Sequence, residues 1–157
     1  MSFADIILRI GAAIGGWLIF IGYALVLAVL HQADCDPRSD ELWRGTLLFA
    51  ALAALALFFV GRGLQWSESI RWFTLPALVL AALAARDILP ALLDTTFHGR
   101  PLCEIAARTP AGIDLAGFEA SSVERAWPPS QLAVLLFGVI QAIRYWTARR
   151  PHDAGSP

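Results

Sequence analysis

Residues 72–93 read WFTLPALVLAALAARDILPALL, and the charged pair Arg86-Asp87 inside this stretch decides how often the chain crosses an apolar layer. From Trp72 to Ala85 the run makes about 21 Å of α-helix, short of the roughly 30 Å of a bilayer's hydrocarbon core. Carried on through Ile88 to Leu93 it reaches about 33 Å, which spans. The stretch therefore predicts a helix that keeps Arg86 and Asp87 within its length. The competing reading ends the helix early, lets Arg86 snorkel, and makes residues 87–97 a tilted interfacial segment hinged at Pro90.

Three other runs are simpler. Residues 6–30 are apolar apart from Arg9, and residues 43–60 carry a single charge, Arg44, at their edge. Residues 131–148 are preceded by Pro128-Pro129 and followed by Arg149-Arg150-Pro151. Proline at a helix entrance forfeits no backbone bond, so the fourth helix is expected to begin near Gln131. The first run is too long for a signal peptide and lacks a small-x-small cleavage site, so it is expected to remain as a helix.

Composition agrees. Of 157 residues, 57% are hydrophobic and 16% charged, with mean hydropathy +0.60, whereas soluble domains carry about 25% charged residues. Two cysteines exclude a disulfide-dense scaffold, and the apolar bias excludes disorder. All 12 basic residues are arginine and asparagine is absent, a bias expected of a GC-rich bacterial coding sequence. The expected fold is an all-α integral membrane domain over residues 1–150. It is a four-transmembrane-helix bundle with spans near 6–30, 43–60, 72–93 and 131–148. A long extracytoplasmic loop at 98–129 separates helices three and four, and residues 151–157 form a polar tail expected to be disordered.

Four spans place both termini on one side and the first and third connections on the other. The arginines divide evenly between the two sides, but those near the termini lie in shorter segments, which favours N-in and C-in at a bacterial inner membrane. Trp43 and Trp127 then belong to the outer aromatic belt, and Trp66, Trp72, Tyr145 and Trp146 to the inner one.

Both cysteines fall on the outer face. An oxidising compartment favours a Cys35–Cys103 disulfide, worth roughly 2–4 kcal/mol by the chain-entropy account. The alternative is a zinc or copper site from His31, Cys35, His98 and Cys103, although their spacing matches no strong signature. Thiol chemistry coupled to quinone needs a Cys-x-x-Cys pair, and none occurs.

Charge within a span usually faces a partner or a cavity. Arg86 lies eight residues before Asp94, about 12 Å along the helix, and Tyr23 of the first helix is the expected hydrogen-bond partner at that depth. Gly11 and Gly15 form a small-xxx-small surface for close helix packing, within the bundle or against another subunit. In the outer connection Leu115, Phe118, Ser122 and Ala126 follow helical spacing, which predicts a short amphipathic helix or a surface for a periplasmic partner.

No phosphate-cradling loop, catalytic serine or cysteine constellation, or basic nucleic-acid surface occurs in the sequence. The expected function is a non-catalytic small subunit or accessory or assembly factor of a membrane complex, with no cofactor. Its partners are the lipid bilayer, other membrane subunits or a periplasmic protein, and no nucleic acid. The alternative is a small transport or metal-handling protein using Arg86, Asp87 and the outer His/Cys group.

Overall fold

The computed structural model describes residues 3–29, 39–63, 71–102 and 120–147. They form four long helices: α1 (Phe3–Val29), α2 (Ser39–Gly63), α3 (Arg71–Leu93) and α4 (Ser122–Thr147). α3 runs on directly into a π-helical turn, Asp94–His98. No strand occurs among the described residues. Each helix contains a stretch long and apolar enough to cross a bilayer: Ile10–Leu27, Glu41–Val60, Thr74–His98 and Ser122–Thr147. The architecture is thus all-helical and compatible with a multi-pass membrane protein.

A seven-residue repeat places the core. The buried positions of α2 are Trp43, Thr46, Ala50, Ala53, Leu57 and Val60, and those of α3 are Thr74, Ala77, Ala81, Ala84, Ile88, Ala91 and Thr95. Steps alternating between three and four residues keep one seam facing the neighbouring helices, as in left-handed bundles. Alanines dominate the α3 seam, so its backbone approaches its neighbours closely. Many large aliphatic and aromatic side chains point the other way: Leu18, Leu48, Leu52, Phe58, Phe59, Val79, Leu83 and Leu136 are all exposed.

α1 packs on α2 and α3, and α4 packs on the same two helices, so α1 and α4 lie on one diagonal and α2 and α3 on the other. Directions follow from specific contacts. A Cβ at Gly16 of α1 would meet Ala56 and Val60 near the end of α2. Trp127 near the start of α4 bonds Thr46 near the start of α2, and Trp146 at the end of α4 bonds Thr74 at the start of α3. The starts of α1 and α3 therefore share one end of the bundle with the ends of α2 and α4. The ends of α1 and α3 share the opposite end with the starts of α2 and α4.

One boundary differs from the sequence reading and another agrees with it. α4 begins at Ser122 and runs through Pro128 and Pro129, instead of starting beyond them near Gln131. The cause is a capping box: the Glu124 N–H donates to Ser121 Oγ at 3.2 Å, and the Ser121 N–H donates to Glu124 Oε2 at 2.9 Å. That reciprocal pair starts the helix two turns early, which takes Ser122 and Ala126 out of the outer connection and into α4. At the other boundary α3 does not stop before Arg86. It passes Pro90 to Leu93, and the π-helical turn that follows it is capped by Gly99, whose φ of 66° lies in the left-handed region that suits glycine.

Candidate functional site

Polar chemistry collects inside the half of the bundle nearest residues 99–102. Thr46 Oγ1 donates to the Trp43 carbonyl at 2.9 Å and accepts the Trp127 indole N–H at 2.7 Å. The Trp43 and Trp127 rings meet edge to face with centroids 5.0 Å apart. One helical turn deeper, the Tyr23 hydroxyl donates to Gln131 Oε1, and Tyr23 packs edge to face on Phe49 at 5.7 Å. Phe20 and Trp17 continue the aromatic column toward the other end, with centroids at 6.2 Å from Tyr23 to Phe20 and 5.9 Å from Phe20 to Trp17.

Steric necessity rather than chain flexibility explains two glycines here. A Cβ on Gly138 would strike the Phe20 ring, with Cε2 at 2.7 Å. A Cβ on Gly16 would strike Val60 and come within 2.9 Å of the Ala56 carbonyl oxygen. The bundle axis is therefore filled by ring against bare backbone. Three buried donors, Trp17 Nε1, Trp43 Nε1 and Gln131 Nε2, have no acceptor among the described residues.

A second polar node closes the end of the bundle. The Glu124 side chain is 5% exposed, and its Oε1 accepts the Leu102 N–H at 3.1 Å while Oε2 takes the Ser121 N–H. The Ala120 N–H donates to the Gly99 carbonyl at 3.2 Å, and Arg125 Nε donates to the Ala120 carbonyl at 3.2 Å. One carboxylate thus joins the chain leaving α3 to the chain entering α4. Burying it is tolerable because it receives charge-assisted bonds from two backbone donors.

The sequence-predicted residues are placed as follows. Arg86 and Asp87 lie within α3, as the length argument required, and both side chains are exposed. Tyr23 is buried at the bundle axis with its hydroxyl bonded to Gln131, so the expected Tyr23 bond to the charged pair gives way to a bond across the diagonal. An added Cβ at Gly11 or Gly15 meets nothing within 4 Å, so this small-residue surface is not packed inside the bundle, and Gly16 and Gly138 make the close approaches. Trp43 and Trp127 point into the bundle, where each buries a large ring and Trp127 finds a hydroxyl for its N–H. Trp72 and Trp146 are exposed at the opposite end.

His98 Nδ1 lies 3.1 Å from Asp94 Oδ1, one turn back in the π-helical turn. His31, Cys35 and Cys103, expected in the disulfide or the metal site, lie outside the described residues, as do Trp66 and Leu115. Among the described residues no three His, Cys, Asp or Glu side chains converge as metal ligands would.

Sequence reasoning missed Glu124, Gln131, Thr46, Gly16 and Gly138. Two signals were present: Ser121-x-x-Glu124 is a capping-box spelling, and Trp43-Thr46-Ala50-Ala53-Leu57-Val60 is a heptad seam.

No known protein family, curated protein or solved structure matches this chain.

Proposed function

We propose that the chain is a non-catalytic multi-pass protein of a bacterial inner membrane, inserted N-in and C-in, that serves as a small subunit or accessory factor of a larger membrane complex. Membrane insertion is supported by the distribution of side chains. Exposed leucines and phenylalanines such as Leu18, Leu48, Leu52, Phe58, Phe59, Leu83 and Leu136 crowd the outer surface, while Thr46, Thr74, Gln131 and Gln141 are buried beside the aromatic core, an arrangement suited to helices solvated by lipid. One observation carries the accessory role over transport: Trp17, Phe20, Tyr23 and Phe49 form a continuous aromatic column and Phe20 presses on the Gly138 backbone, so the interior serves as packing rather than as a path. What remains for function is the outside, including the open Gly11–Gly15 surface and the Arg86/Asp87 face.

Native mass spectrometry of complexes released from source membranes in mild detergent tests this reading. A stoichiometric second protein is expected. Recovery of this chain without other polypeptides under every extraction condition defeats the subunit role.

A second reading, transport or metal handling, draws on the three buried donors that lack acceptors, which an acceptor-bearing cargo could satisfy. The disulfide between Cys35 and Cys103 remains part of the proposal on the sequence argument alone: four spans assign the first and third connections to the same side, where an oxidising compartment favours pairing.

A further inference from the structure

Arg86 lies inside the apolar stretch Thr74–His98, eight residues or about 12 Å before Asp94. It stands on the outward line of α3, seven residues from the exposed Val79 and seven from the exposed Leu93, with Leu83 and Leu89 beside it. In a bilayer that line faces hydrocarbon, and an arginine at such depth is costly unless protein meets it. Asp87 is also exposed, and its carboxylate has about four lone-pair sites, enough for a contact within its own chain and one from outside. Adjacent residues on a helix point about 100° apart, so Arg86 and Asp87 present their charges on two neighbouring lines of α3. Pro90 adds to the polarity of this face. Lacking an N–H, it leaves the Arg86 carbonyl without its usual donor four residues on.

We infer that the Arg86/Asp87 face of α3 is the contact between two copies of this chain, related by a two-fold axis along the membrane normal. The argument is charge self-complementarity. A two-fold brings Arg86 of one copy beside Asp87 of the other at nearly the same depth, and the symmetry makes the reciprocal pair without further residues. Arg86 of each copy then gains a carboxylate at its own depth, while Asp87 keeps its contact within its own chain. An unrelated helix would have to carry its own acid and base at matching depth. The inference rests on the membrane insertion proposed above, but not on the subunit role.

The test uses the full-length chain in lipid vesicles at low protein density, with oligomers counted by single-molecule photobleaching. The wild type is expected to dimerise. Arg86→Asp and Asp87→Arg, each with like charges at the contact, are expected to weaken the dimer by about ten- to hundredfold, since each disrupts both reciprocal pairs. Arg86→Gln and Asp87→Asn should weaken it in the same direction, and they keep the test usable if a charge reversal fails to insert. The decisive arm mixes differently tagged Arg86→Asp and Asp87→Arg chains, which should pair with each other and not with themselves. A wild type that stays monomeric at every density overturns the inference while leaving the subunit role standing. Variants that dimerise as the wild type does, or a mixture that fails to pair, overturn it equally. A chain that reaches solution without detergent removes the membrane premise instead.

Discussion

Replacing glycine by alanine at Gly11, Gly138 and Gly16 should change the stability of the bundle with different signs, although all three lie within helices. Alanine in a helix interior is favoured over glycine by about 0.5–1 kcal/mol. At Gly11 the new methyl meets nothing within 4 Å, so the isolated protein should gain about that amount. At Gly138 the methyl would lie 2.7 Å from Phe20 Cε2 and 3.0 Å from Cε1, against an optimum of roughly 3.5–4.0 Å. The ring must retreat by about 1 Å, yet it is held between Trp17 and Tyr23. Overpacking of this kind costs about 1–3 kcal/mol, so after the helix gain the net loss is about 1–2 kcal/mol. At Gly16 the obstruction includes the Ala56 carbonyl at 2.9 Å, which moves only if α1 and α2 separate, so the loss should be larger, about 2–3 kcal/mol. Unfolding in mixed detergent micelles, followed by helical circular dichroism, measures all three. Adding Phe20→Leu should relieve Gly138→Ala, visible as a favourable coupling in the double-mutant cycle. Equal shifts at Gly11 and Gly138, or the absence of that coupling, would refute the packing argument.

Three further outcomes are expected. Glu124→Ala removes the acceptor shared by Leu102 and Ser121 and strands two N–H groups, so stability should fall by about 2–4 kcal/mol; amide exchange at Leu102 should rise, and unchanged protection there would count against the clasp. Tyr23→Phe leaves the Gln131 amide unsatisfied and should cost about 1–3 kcal/mol, whereas adding Gln131→Leu removes the stranded amide and should recover most of it in the same unfolding assay. Thiol alkylation of intact cells should leave Cys35 and Cys103 unlabelled until reductant is added, followed by a mobility shift on a non-reducing gel; labelling without reductant argues against the disulfide.

How much was legible beforehand depended on the range of the interaction. The third helix was readable because helix length is local arithmetic: about 1.5 Å per residue made the run to Ala85 too short, and the structure carries α3 past Arg86 to Leu93 and on to His98. The start of α4 was misread although its signal was local, because proline is more often a helix boundary than an interior residue and the Ser121–Glu124 box upstream outweighs it here. Tyr23 was read at the right depth and given the wrong partner. Depth follows from counting along a helix, but partner choice follows from rotation about its axis and from which helix lies across the diagonal.

The chain's own order of residues determines four long apolar helices among the described residues, with the start of α1 and the end of α4 at one end of the bundle, since each follows from run length and alternation. Hydropathy could not say which small residues matter, because Gly11 and Gly16 are equally apolar and equally small. Only tertiary packing separates the open glycine from the one pressed against Ala56, and the interior tryptophans from those facing out. It also sets the Arg86 side chain on the outer line of α3, a result of the heptad seam that turns Ala84 and Ile88 inward and leaves the residues between them facing away.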